Sequence, residues 1–351
     1  MKIVVFGLSI TSSWGNGHAT TYRGLLREMA KRGHEVLFLE RDASWYAQNR
    51  DLPTPPYCRT VLYSSLPELL ERYGAEICGA DCVMVGSYVH QGIEVGSWVT
   101  QNAKGITAFY DIDTPVTLAA LAQGSCKYIS CDLIPRYRLY LSFTGGPTLE
   151  RIEQLYGSPA ARPLYCSVDP DLHFPLKQPH SWDLGYLGTY SSDRQPGLER
   201  LLCAPAASWP RGRFVVAGPQ YPPEIKWPGN AQRIEHLPPE SHRDFYCSQR
   251  FTLNLTRKQM QQAGFSPSVR LFEAAACAVP VISDHWPGVE QFFVPGKEIL
   301  LASSSADVLS ILQDFPEGER RALGELARNR ALKSHSAARR AQELESYLAA
   351  I

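Results

Sequence analysis

Residues Gly264–Glu290 read GFSPSVRLFEAAACAVPVISDHWPGVE, a short polar loop, an acid-bearing helix and a buried strand in one compact order. Such an order describes a ligand site built at the end of a sheet. The loop Gly264, Phe265, Ser266, Pro267, Ser268 supplies turn residues and backbone N–H groups. The helix it starts carries Arg270 and Glu273 at i, i+3, near one face. A helix start beside a guanidinium suits a phosphate or diphosphate, and a carboxylate one turn later can accept hydrogen bonds from a ribose diol. The same pair could instead be a solvated salt bridge on an ordinary amphipathic helix. The continuation favours a site: Ala274, Ala275, Ala276, Cys277 and Ala278, then Pro280 to Asp284, form a small-residue helix packed closely under a short strand.

Working outward, strand and helix patterns alternate, which argues for parallel sheets with crossover helices. Lys2–Gly7 (KIVVFG) is a first buried strand, Ala19–Arg32 a helix ended by Gly33, and Glu35–Glu40 the next strand. Further strands are expected at Thr60–Tyr63, Cys82–Gly86, Gly105–Tyr110, Lys127–Cys131 and Leu139–Phe143, with a helix at Pro147–Tyr156. The Pro-rich segment Ser158–Ser181 is expected to connect two domains, after which alternation restarts at Leu184. Helices close the chain at Ala306–Asp314, Glu317–His335 and Ala337–Ala350.

The 351 residues, 44% hydrophobic, suffice for two domain cores. Thirty-five basic residues against 35 acidic give no bulk field for nucleic acid or membranes, so a partner must be recognised by a local site. No apolar run approaches transmembrane length and Met1–Gly7 enters a strand directly, so the expected location is cytoplasmic. Nine scattered cysteines suit buried free thiols better than disulfides. Cys78 with Cys82, or Cys126 with Cys131, lacks the complement of a zinc site.

The segment VRLFEAAACAVPVIS resembles the donor-binding region of GT-B glycosyltransferases, most closely the CgeB-like branch of spore maturation protein type. Similar segments lie upstream: DLGYLGTYSSDRQPGLERLL (Asp183–Leu202) resembles the first strand and loop of that domain, RFVVAGP (Arg213–Pro219) its second strand, and FTLNLTR (Phe251–Arg257) the strand before the donor loop. CSVDPDLHFP (Cys166–Pro175) is similar to the linker between the halves of many such enzymes. The resemblance implies an α/β fold of two Rossmann-like parallel-sheet domains facing a cleft. Residues 1–165 would form an acceptor-binding domain, 166–335 a nucleotide-sugar-binding domain, and 336–351 a helix packing back on the first. It implies a nucleotide-sugar-dependent, hexosyltransferase-like glycosyltransferase with no cofactor and no metal, the nucleoside-diphosphate sugar serving as co-substrate. Glu273 would bind the ribose, and the preceding loop with Arg270 the diphosphate. Retaining members often carry a second Glu eight residues earlier, where this chain has Phe265.

Three further places carry chemistry. In Ser12–His18, the spacing of Gly7, Gly15 and Gly17 does not match a dinucleotide fingerprint. Gly15, Asn16 and Gly17 instead form a pliant acceptor-side loop ending at His18, an imidazole suited to take a proton near neutral pH, or simply a helix-start residue. In several inverting GT-B enzymes a His after the first strand is the base, so the resemblance supports His18. Asp111 and Asp113 follow an apolar strand and could act as base, orient His18, or cap the helix near Pro115. In the second half, Gly188, Thr189, Tyr190 and Arg194, and Arg257 with Lys258, recur at strand ends where N–H groups and cations can meet a diphosphate. The expected activity is transfer of a sugar to a hydroxyl or other nucleophile of an unidentified acceptor, with His18, Asp111 or Asp113 as base. A nucleotide-sugar epimerase and a non-catalytic nucleotide-sugar-binding protein are the alternatives.

Overall fold

In a computed structural model, which describes residues 1–14 and 17–351, the chain divides into two compact units, Met1–Cys166 with Ala337–Ile351, and Ser167–Ser336. The first is built on seven strands: β1 (Lys2–Gly7), β2 (Glu35–Arg41), β3 (Arg59–Tyr63), β4 (Cys82–Gly86), β5 (Ile106–Asp111), β6 (Leu139–Ser142) and β7 (Ala161–Pro163). They run parallel in the order β3-β2-β1-β4-β5-β6-β7. Strands covered by crossover helices on both faces must be apolar throughout rather than alternating. Ile3, Val4, Val5 and Phe6 of β1, and Val83, Met84 and Val85 of β4, are accordingly all buried.

The second unit repeats this plan with β8 (Trp182–Leu187), β9 (Phe214–Ala217), β10 (Ala231–Ile234), β11 (Gln249–Asn254), β12 (Val281–Ser283) and β13 (Leu300–Leu301). These are parallel in the order β10-β9-β8-β11-β12-β13. In each sheet the first strand lies between the second and fourth, so crossovers leave it in opposite directions. The crevice this opens at the carboxyl ends of the strands is where such sheets bind ligands.

Two expectations need correction. Lys127–Cys131 is not a strand, although Tyr128 and Ile129 are buried. The sheet position beside β5 belongs to β6, and the Tyr128 hydroxyl instead lies 2.8 Å from that of Thr117, with its ring 4.8 Å from that of Tyr88. Burial here comes from packing against the segments that follow β4 and β5 rather than from strand pairing. Conversely, Ala161–Pro163, within the segment read as connection, pairs with β6 as an edge strand, a position that tolerates the missing N–H of Pro163. Within the first unit the closing helix Ala337–Ala349 packs on His18–Lys31; a Cβ on Gly24 would stand only 3.1 Å from that of Ala337. Among the described residues, no helix is long and apolar enough to cross a membrane.

Candidate functional site

In the first unit the loop after β1 is tied down by Glu40, near the end of β2 and wholly buried. Its carboxylate accepts from the N–H groups of Ile10 (2.7 Å) and Thr11 (3.1 Å) and from the hydroxyls of Ser9 (3.0 Å) and Thr11 (2.6 Å). Four bonds to one buried carboxylate fix the loop's path ahead of the helix His18–Lys31. His18 begins that helix, its Nε2 lying 3.8 Å from Oδ2 of Asp113 and its ring stacked at 5.9 Å on Tyr88. The Tyr88 hydroxyl donates to the same Asp113 oxygen at 2.9 Å. Burial and then Asp113 push the Tyr88 pKa up, so the phenol keeps its proton and remains a donor. Tyr88 itself holds a left-handed φ of 64°, local strain of the kind retained where a side chain must be aimed.

The two aspartates take different directions. Asp111, at the end of β5, is wholly buried and accepts from the hydroxyls of Tyr140 (2.5 Å) and Thr117 (2.8 Å) and the N–H of Asp113 (3.3 Å). Burial raises its pKa to about 6 against the opposing effect of these bonds. Asp113 occupies the N-cap position of the helix Thr114–Ala122 but makes no side-chain cap; its carboxylate turns to His18 and Tyr88. The structure thus brings His18 within ion-pair reach of Asp113, beyond direct hydrogen-bonding distance at 3.8 Å, and buries Asp111. Gly17 has ordinary helical dihedrals, φ −61° and ψ −14°, so the backbone freedom expected of it is not used. Gly15 and Asn16 lie outside the described residues.

In the second unit Arg270 and Glu273 do not pair with each other among the described residues. Arg270 donates through Nε to the Leu187 carbonyl (2.6 Å) and through Nη1 to Asn254 Oδ1 (3.0 Å), with its guanidinium 4.8 Å from the Tyr186 ring centre. It is therefore held at the carboxyl end of β8. Ser268, at the N-cap of the helix Val269–Ala276, donates to the same Asn254 oxygen at 2.7 Å. A Cβ on Gly188 would fall 2.9 Å from an Arg270 nitrogen and 2.7 Å from the Tyr186 hydroxyl, so the guanidinium lies close against this turn. Gly218, after β9, has φ +139°, and a Cβ there would stand 2.1 Å from the Gly188 carbonyl oxygen. Arg194 donates to the Thr189 carbonyl at 2.8 Å, and the N–H of Tyr190 to the Pro219 carbonyl at 3.0 Å. Arg257 precedes the helix Lys258–Ala263, whose first N–H donates to Asp193 at 2.9 Å. Gly264 and Phe265 take φ of +67° and +48°, turning the loop sharply before Ser266, which is buried.

Glu273 is only 4% exposed. Its Oε2 accepts from the Tyr246 hydroxyl at 3.0 Å, and its Oε1 lies 3.7 Å from Nε2 of His173. Glu40, Tyr88, Tyr246 and His173 were not singled out in the sequence. A charged residue closing the apolar run EVLFLE was the one readable signal, for Glu40. Among the described residues no disulfide joins any of the nine cysteines, but only Cys82, Cys166, Cys247 and Cys277 are buried; Cys131 is exposed. A cavity of about 430 Å³ lined by Lys2, Glu35, Arg59 and neighbours opens at the amino ends of β1–β3, away from all these groups, and no catalytic set converges on it among the described residues.

Residues 194–346 match the model of a glycosyl transferase-like family. No curated protein matches the sequence. Solved structures similar over the full chain include sucrose-phosphate synthase from Thermosynechococcus elongatus, with 16% identity, TM-score 0.72, and coverage of 100% of this chain and 99% of that one. Anabaena Alr3699/HepE in complex with UDP-glucose has 13% identity and TM-score 0.72 over 100% of both chains. An alpha-glucosyltransferase in complex with UDP-glucose and DNA containing an abasic site has 12% identity and TM-score 0.72 over 99% of each chain. The fold is that of GT-B glycosyltransferase structures, two parallel-sheet Rossmann-like units.

Proposed function

We propose that the chain is a glycosyltransferase that moves a sugar from a nucleoside-diphosphate sugar to a hydroxyl or comparable nucleophile of an acceptor, in the manner of the CgeB-like branch and in the cytoplasm. The observation that carries this reading is the second unit's loop and helix: Arg270 fixed against Gly188 and Tyr186, and Glu273 one turn on. The family match over residues 194–346 and the UDP-glucose complexes among similar structures support it and make uridine nucleotides the first donors to try.

In this reading Glu273 takes the ribose diol. Arg270, Arg194 and Arg257, with the N–H groups of Thr189 and Ser268, take the diphosphate; the N–H groups of Gly188, Tyr190, Gly264 and Phe265 donate to the carbonyls of Ala217, Pro219, Met260 and Pro287 and shape the two loops instead. Departure of the nucleoside diphosphate builds negative charge on the β-phosphate, and positioned guanidinium groups and helix-start amides stabilise it without a metal or another cofactor. The first unit supplies the acceptor side. His18 is the base, receiving the acceptor proton as the new bond forms, and Asp113, itself held by Tyr88, orients the imidazole and stabilises its protonated form. Asp111 supports this corner from beneath. With Phe265 in place of the second glutamate, inversion is the expected outcome.

Calorimetry and thermal shift of the wild type and Glu273→Ala against UDP, other nucleoside diphosphates and their sugars test the donor half, because a bound ligand raises stability by mass action. Selective stabilisation by one nucleotide, lost in the variant, is expected; no response to any nucleotide refutes the reading. Epimerised sugar in an acceptor-free reaction would assign the site to isomerisation instead.

A further inference from the structure

Three side chains from separate parts of the second unit converge beside the helix Val269–Ala276. His173 comes from the turn that follows Asp169, His242 begins the helix His242–Cys247, and Glu273 projects from the helix itself. One ligand atom from each lies within 4.8 Å of the other two. His173 and Glu273 are each only 4% exposed, and His242 is partly buried. Among the described residues neither ring nitrogen of His173 has a hydrogen-bond partner, and the 3.7 Å to Glu273 exceeds hydrogen-bonding distance. A buried imidazole is therefore aimed at a second imidazole and a carboxylate across a gap that direct contact does not close.

The atoms not facing the gap are already engaged as they are around bound metals. Oε2 of Glu273 accepts from Tyr246, which fixes the carboxylate's orientation. Nε2 of His242 lies 3.3 Å from the Leu237 carbonyl; an N–H held there leaves the ring's other nitrogen with its lone pair. Two imidazoles with one carboxylate suit zinc-class ions rather than magnesium, and three protein ligands leave a fourth position open.

We propose that His173, His242 and Glu273 bind a zinc-class divalent ion, the fourth position being taken by water or a small oxygen ligand. The ion is separate from the sugar-transfer chemistry, to which it supplies no step. Because Glu273 is also the carboxylate assigned to the ribose, the ion and the nucleotide compete; this part alone rests on the donor reading.

The full chain, freed of metal with a chelator, is titrated with Zn²⁺ by calorimetry and with Co²⁺ by visible absorption, no nucleotide being present. One equivalent is expected, with cobalt d–d bands and no thiolate-to-cobalt charge-transfer band, a distinction needed in a chain with nine cysteines. His173→Ala and His242→Ala are each expected to weaken binding by more than about 100-fold, since even a residue supporting a ligand is worth 10–100-fold. His242→Gln substitutes for His242→Ala if the latter does not fold. Absence of stoichiometric binding, equal binding by the variants, or a thiolate band overturns the site. UDP is then titrated into zinc-loaded and zinc-free protein. Weaker binding to the loaded form supports the shared carboxylate, and undiminished binding overturns it. Zinc bound at the three residues with no UDP binding in either form leaves the ion site standing and removes the donor reading.

Discussion

Replacing Asp111 by asparagine removes a carboxylate that the fold holds at an energetic cost near neutral pH. The buried side chain titrates at about 6 against an ordinary 3.8. At 1.36 kcal/mol per unit, this difference is worth about 3 kcal/mol. The sign follows from proton counting: between those two values the folded chain keeps a proton that the unfolded chain has released, so stability falls as pH rises through the window. Below about pH 3 the cost vanishes; it is about 1.6 kcal/mol at pH 5 and about 3 kcal/mol at pH 7.5. The Asp111→Asn variant carries no such dependence. Its amide oxygen, in the place of Oδ1, can accept from the Asp113 N–H and the Thr117 hydroxyl while the Tyr140 hydroxyl rotates to accept from the NH2 in the place of Oδ2, and any loss in that exchange is independent of pH. Urea unfolding of both proteins across pH 5 to 7.5 should therefore find the variant gaining on the wild type by about 1.4 kcal/mol. A difference that stays constant, or shrinks as pH rises, refutes the assignment of Asp111 as a buried group with a raised pKa.

Glu273→Gln should weaken UDP binding by about 10- to 150-fold in calorimetry, the range of a lost charge-assisted hydrogen bond. In steady-state kinetics, once an acceptor is found, His18→Ala should lower kcat by about 10²- to 10⁴-fold with the donor KM nearly unchanged. Asp113→Asn should cause a smaller loss of the same kind. Gly218→Ala forces a methyl onto the Gly188 carbonyl at a backbone angle unsuited to alanine and should cost more than about 2 kcal/mol in denaturant unfolding. Glu40→Gln should lower kcat while leaving UDP affinity intact, since the carboxylate anchors only the loop leading to His18.

The inner strands of the first sheet were legible because parallel strands covered on both faces are continuous apolar runs, and KIVVFG, EVLFLE and CVMVG are such runs; the edge strands of the second sheet, Ala231–Ile234 and Leu300–Leu301, are short and only partly buried and went unread. Where burial and pairing part company, that signal misleads. KYISC is apolar because Tyr128 and Ile129 pack into the core, not because it joins the sheet, and ARP pairs with β6 with little apolar character of its own. At the candidate site, what reads from sequence is what one contiguous segment carries, namely the loop, Arg270 and Glu273. Partners arriving from elsewhere leave no local mark. Tyr246 precedes Glu273 by 27 residues, and Tyr88 precedes Asp113 by 25. Nor does the spacing of Asp111 and Asp113 announce that one faces the core and the other His18. That follows from the strand ending between them, where the alternation of side chains breaks down.

The return of Ala337–Ile351 to the first unit makes that unit discontinuous in the chain. During synthesis its sheet can assemble early, but the helix His18–Lys31 must wait, one flank bare, until the whole second unit has been made. Arg32 and His34, just after that helix, share Glu345 of the returning helix as an ionic latch. Removing the chain beyond Ser336 would therefore spare the nearby sheet of the second unit and damage the distant one that carries His18. A cleavage or frameshift near the end of the chain would be felt at its beginning.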